Sequence, residues 1–173
     1  MKIEIMKGII LISMIFLSST MYSQSLMDSL ILVKINNYRV KKNLEKLDFS
    51  TVAYKAAEHH NNYLNDNPTQ PIAHNEGNET PNHWHRLKKY NDRNDGNFWI
   101  SAENLWGAMG VNIDLNKETD QLKKLAKECV KDWIRSKNHK KNLLVNKLTY
   151  AGIHSIITDD NRLIVTYVAY NYR

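Results

Sequence analysis

The chain has 173 residues, with 24 Lys and Arg against 18 Asp and Glu, a formal net charge of +6 and a single cysteine. That length suits one domain with one sizeable core. One thiol excludes an internal disulfide framework, so the fold rests on packing, and the mild positive balance permits attraction to anionic surfaces without specifying nucleic acid.

Lys2 and Lys7 precede an apolar stretch from Gly8 to Leu17, followed by a more polar segment from Ser18 to Ser25. This is the layout of a secretory signal. Residues 1–23 are expected to be removed, with cleavage between Ser23 and Ser25. The apolar run falls short of the about 20 residues that a bilayer span needs, so the processed chain is expected to be exported, extracellular or periplasmic, and not membrane-spanning. Residues 26–173 form the expected domain.

From Ser25 to Lys42, Leu26, Leu30, Val33, Ile35 and Tyr38 approximate one helical face. Asn43 suits the left-handed residue that ends such a helix, and Leu44 and Leu47 would pin the connection to the core. Ser50 reads as the N-cap of a second helix, with Phe49 and Tyr54 placed to form a hydrophobic staple, and Asn67-Pro68 stops it. The span from Asp66 to Gly96, rich in Asn, Asp and Pro, reads as mostly loop with a short helical piece from Trp84 to Tyr90. Phe98 to Leu105 leads back into the core, and Gly107 to Asn116 reads as a connection.

Leu122, Leu125, Ala126, Cys129, Val130, Trp133 and Ile134 recur at three- and four-residue steps, the strongest helical period in the chain. Cys129 on that stripe reads as a buried thiol. Two strands close the sequence, Tyr150 to Thr158 and Arg162 to Tyr172, joined by the hairpin chemistry of Asp159-Asp160-Asn161. The second lacks polar alternation from Leu163 to Ala169, so both its faces should be covered. A sheet covered on both sides by helices makes an α+β, three-layer α/β/α sandwich.

Several polar residues do not belong to these periods. Trp133, Ser136 and His139 follow one another at three-residue steps, with Asn142 beyond and Gly152 downstream. Ala102-Glu103-Asn104-Leu105 stands upstream, His74 lies in the long loop, and Asn36 and Arg39 share the first helix. In this order the segments resemble the CAP superfamily, the cysteine-rich secretory, antigen 5 and pathogenesis-related class 1 proteins, and most of all its short bacterial SCP-like members. The resemblance implies the three-layer fold with a mainly antiparallel sheet, and a central cavity lined by two His and two acidic residues. By that likeness the cavity residues are His74, Glu103, Ser136 and His139. Ala102 replaces the family's usual Gly, Lys137 and Asn138 replace Pro-Gly, and Ser136 stands where eukaryotic members carry an acid.

A neutral imidazole pair can bind zinc, with a carboxylate as third ligand, orienting group or proton acceptor. Ser136 cannot supply that carboxylate. Each residue also has a plainer role open to it: Glu103 as a charge near a helix N-terminus, His74 in an exposed loop, His139 beside Lys140 and Lys141. His83 and His85 could offer two further ligands if their segment were extended. His60 falls near the core-facing register, His59 reads as solvated, and His154 packs or faces water. No nucleophile elbow is present, and the tyrosines of the last strands read as sheet packing rather than a nucleic-acid platform.

Three functional readings follow. The leading one is a non-catalytic binding or interaction module whose polar His/Glu cavity takes an extracellular ligand, a lipid or other cell-envelope component. The alternative is a divalent-metal-dependent hydrolase, with zinc on His74 and His139 and Glu103 as general base. The third is an adhesin-like surface protein acting through the loop from Asp66 to Gly96.

Overall fold

A computed structural model describes residues 25–77, 80–91, 98–113 and 118–173; the expected signal segment, residues 1–23, lies outside them. The elements run α1 (Leu26–Val40), β1 (Asp48–Phe49), α2 (Thr51–Asp66), α3 (His83–Tyr90), β2 (Phe98–Ala108), α4 (Glu118–Arg135), α5 (Lys137–Leu143), β3 (Tyr150–Ile157) and β4 (Leu163–Tyr172). The sheet order is β1-β3-β4-β2. β4 pairs antiparallel with β2 and β3, and the two-residue β1 pairs parallel with β3, so the sheet is mixed with a mainly antiparallel body. β2 continues through Gly107 to Ala108 rather than yielding to a connection there, because the uninterrupted β4 supplies a partner as far as Leu163.

β4 is buried from Leu163 to Tyr170, and its alternate residues serve two layers. Val165, Tyr167 and Ala169 join Ile31 and Ile35 of α1 and Cys129 and Trp133 of α4 in the larger apolar core. Val168 and Tyr170 face Ala53, Ala56 and Ala57 of α2 and Leu87 of α3. This is the α/β/α sandwich.

Local chemistry fixes each layer. Ser25 and Asp28 form a reciprocal capping box at the start of α1, and Asn43, with φ of 58°, ends the turn after it. Asn36 exchanges hydrogen bonds with the Leu47 backbone at 2.8 and 2.9 Å. The fully buried Arg39 donates to the carbonyls of Glu45, Leu143, Val145 and Leu148, tying α1 to the chain after α5. On the other face Ser50 caps α2, and the Phe49 and Tyr54 rings meet edge-on at 6.2 Å. Gly152 lets α2 lie directly on the sheet, because a Cβ there would stand 2.0 Å from the Tyr54 nitrogen.

Candidate functional site

The polar residues gather beside β2, between α3 on one face and α5 on the other. Pleating separates the Glu-Asn pair. Glu103 lies opposite Val168 and so shares the α2/α3 face, while Asn104 lies opposite Tyr167 on the α1/α4 face. Asn104 donates to the His139 carbonyl at 3.1 Å, and Asn142 donates to the Glu103 carbonyl and to Asn104 Oδ1 at 2.8 and 2.9 Å. The buried Trp133 donates to the Leu105 carbonyl at 2.8 Å. Asn104, Trp133 and Asn142 therefore hold α4 and α5 against β2, and this brings His139 to the strand.

Glu103 stands in the middle of a strand, not at a helix N-terminus, and is buried with its carboxylate fully engaged. Its Oε1 lies 2.8 Å from His74 Nδ1 and its Oε2 accepts from Arg86 Nη2. The other guanidinium arm reaches Glu76 Oε1 at 2.8 Å. Glu76 in turn lies 2.8 Å from His60 Nδ1, accepts from the Thr80 hydroxyl at 2.9 Å and sits 3.4 Å from His59 Nε2. The far nitrogen of His60 meets the Ala73 carbonyl at 2.9 Å, so this buried ring has an oxygen acceptor on each side. The loop carrying His74 and Glu76 packs over β2 at Gly107, where a Cβ would meet the Ile72 side chain.

Electrostatics follow from this packing. Burial works to raise both carboxyls. In Glu76 the His60 and Thr80 hydrogen bonds and the Arg86 charge outweigh it and hold the group down at about 2. In Glu103 the His74 hydrogen bond and Arg86 have the same result, a carboxyl below its ordinary range. Burial lowers His83, against the opposing pull of Glu103. His139 is lowered by burial and then by His74.

Among the four cavity residues expected from sequence, His74, Glu103 and His139 come together. The His74 and His139 rings lie with centroids 6.5 Å apart and planes at 60°, and the His74 side chain is 49% exposed. Ser136 acts on the backbone instead, its hydroxyl accepting the His139 amide hydrogen at 3.5 Å as the N-cap of α5. His83 and His85 are helical rather than extended, and residues two apart on a helix point about 200° apart. His83 turns inward to the Ser101 hydroxyl at 3.0 Å, and the exposed His85 folds back on Asn82. His59 is not solvated. Its nitrogens meet the Tyr90 hydroxyl at 2.8 Å and Thr80 at 2.9 Å. His154 packs against Tyr54 and contacts Asn61, with its pKa lowered by burial to about 4.

This arrangement bears on catalysis and on metal. His83 Nδ1 is 4.0 Å from Glu103 Oε1, beyond hydrogen-bond reach, so Ser101 and His83 lack the acid that would complete a nucleophilic relay. Two imidazoles sharing a tetrahedral zinc would have ring centres about 5 Å apart, closer than His74 and His139. No group of three or more His, Cys, Asp or Glu among the described residues stands at metal-holding spacing. With Glu103 committed to Arg86, the residues present do not fit a resident divalent ion.

Residues 32–172 match the CAP family, described as the cysteine-rich secretory protein family. The chain belongs to this family. Among solved structures it resembles an outer surface protein of Borrelia burgdorferi, with 20% identity, a TM-score of 0.67 and coverage of 85% of this chain and 93% of that one. An extracellular SCP-domain protein of Bacillus anthracis matches at 20% identity and a TM-score of 0.57, over 82% of this chain and 40% of the other. A cysteine-rich secretory protein of Staphylococcus aureus matches at 15% identity and a TM-score of 0.51, over 87% and 40%. This chain therefore spans well under half of the latter two. No curated protein matches it.

Glu76 and Arg86 are the site residues that sequence reasoning missed in this CAP domain. A signal was present: a carboxylate buried on a core strand needs a buried partner. Arg86 also stands three residues after His83, on the same side of a short helix.

Proposed function

We propose that this chain is an exported CAP domain that works as a non-catalytic binding module, taking an extracellular ligand, a lipid or other cell-envelope component, at the face where His74 and His139 are open. The single observation that supports it is the engagement of Glu103. Its oxygens are occupied by His74 and Arg86, and its carboxyl is held low, so it is a poor proton acceptor for a water or substrate hydroxyl. Export is supported by the signal-like N-terminus and by the surface and extracellular descriptions of the similar Borrelia and Bacillus proteins. No helix among the described residues is long and apolar enough to cross a membrane.

Native mass spectrometry of the protein recovered from its producing cells tests this reading. A bound mass should appear on the wild type and be lost in the His74→Ala/His139→Ala variant. Identical spectra would refute the binding face, and zinc-dependent hydrolysis abolished by Glu103→Gln would replace the module with an enzyme.

A further inference from the structure

Glu76 and Glu103 come from different parts of the chain, a loop and a strand, and their side chains are 0% and 1% exposed. Two carboxylates can both stay ionised in so dry a space only if positive charge lies between them. A divalent cation is one means of meeting that demand. This chain meets it from within: Arg86, itself fully buried, sends one arm of its guanidinium to each carboxylate. The planar fork suits such a bridge, and the charge cannot be lost by deprotonation.

We infer that Arg86 is a built-in cation occupying the charge centre where a divalent ion would otherwise be demanded, so that the His/Glu site of this CAP domain is closed to metal and works without it. The geometry of the neighbours agrees. His60 is committed at both nitrogens, to Glu76 and to the Ala73 carbonyl, and His74 turns Nδ1 to Glu103, so neither carboxylate is left free to ligate an ion. An incoming cation would have to expel a side chain anchored on α3 and would meet like charge. The inference concerns what neutralises the site, not what the open face binds, so a protein that binds nothing would refute the proposed function and leave this point standing.

Zinc chloride alone, titrated calorimetrically into the full chain, supplies the test. The wild type should show no equivalent of zinc that depends on Glu103, and a chelator should leave its melting temperature unchanged. Arg86→Met, which frees both carboxylates, should bind zinc more tightly than wild type by about tenfold or more; if it unfolds alone, zinc should restore its fold. The Glu76→Gln/Arg86→Met/Glu103→Gln variant removes charge from all three positions and should fold without responding to zinc. One zinc equivalent on the wild type, lost in Glu103→Gln, would overturn the inference. So would an Arg86→Met protein that neither gains zinc affinity nor is rescued by zinc while the triple variant folds.

Discussion

Arg39 and Arg86 are both fully buried, and the two helical layers neutralise them differently. In the α1/α4 layer Arg39 donates to backbone carbonyls, those of Glu45, Leu143, Val145 and Leu148, and burial pulls its pKa down against the influence of Tyr167. In the α2/α3 layer Arg86 lies between two carboxylates. The first guanidinium is a clamp that gathers backbone carbonyls, acceptors that bring no net charge of their own. The second balances a charged cluster that would be unstable without it. Burial of an arginine therefore does not reveal its purpose; the charge state of its acceptors does.

Removing each guanidinium separates the two cases. Arg86→Met leaves two buried carboxylates without their cation and should cost about 3–5 kcal/mol. Arg39→Met leaves carbonyls short of a donor and should cost less, about 1–3 kcal/mol. Urea unfolding at neutral pH measures both. Acid sharpens the contrast, because protonated carboxyls no longer need Arg86: the gap between Arg86→Met and wild type should narrow as pH falls through the window from 4.5 to about 2 set by Glu76. A larger loss for Arg39→Met, or an Arg86→Met deficit independent of pH, would break the comparison.

The layers also differ in the sign of their response to pH. Glu76 has a folded pKa below its ordinary value, so its contribution is present above 4.5 and is lost as pH falls toward about 2. Asp28, at the start of α1, is raised by burial to about 6, against the hydrogen bonds from Ser155 and Ser25. Its sign is the reverse: the protonated form is favoured in the folded state, so stability is fully present below 3.8 and declines as pH rises through about 6. Asp28→Asn keeps a capping side chain without the buried charge. It should raise stability at pH 7 by up to about 3 kcal/mol and have no advantage at pH 3. Thermal melts of both proteins across that range measure this, and a variant less stable than wild type at pH 7 would show that the charge is needed at the cap.

Much of the fold was legible because its signals are local or periodic. The apolar run of β4 announced a strand covered on both faces, the α4 stripe its buried side, and Phe49-Ser50 with Tyr54 the start of α2. Those signals depend on neighbours within a few residues, and packing strengthened them. The site was legible only in part. Glu103 and the two histidines were visible through their resemblance to a family, whereas Glu76 and Arg86 sit in segments whose composition reads as solvated. Their burial is created by the closing of the loop over β2 and the docking of α3, contacts that no local period records. The helix α5 was missed for a related reason: seven residues, nearly all polar, carry no apolar stripe, and the helix is held by its cap and by the contacts of Asn142.

That cap gives the smallest expected effect and the sharpest statement about Ser136. Sequence reasoning placed this residue in the cavity, and its hydroxyl accepts the His139 amide at the first turn of α5. If capping is all that it does, Ser136→Ala should cost about 1 kcal/mol. Ser136→Asp, another good cap, should restore stability. Neither change should alter the pairing of Arg86 with Glu76 and Glu103, so the acid response set by Glu76 should match wild type in both. Should Ser136→Asp instead confer zinc binding that Ser136→Ala lacks, the residue would belong to the site chemistry, and the division between a charged network at α2/α3 and an uncharged cap at α5 would fail there.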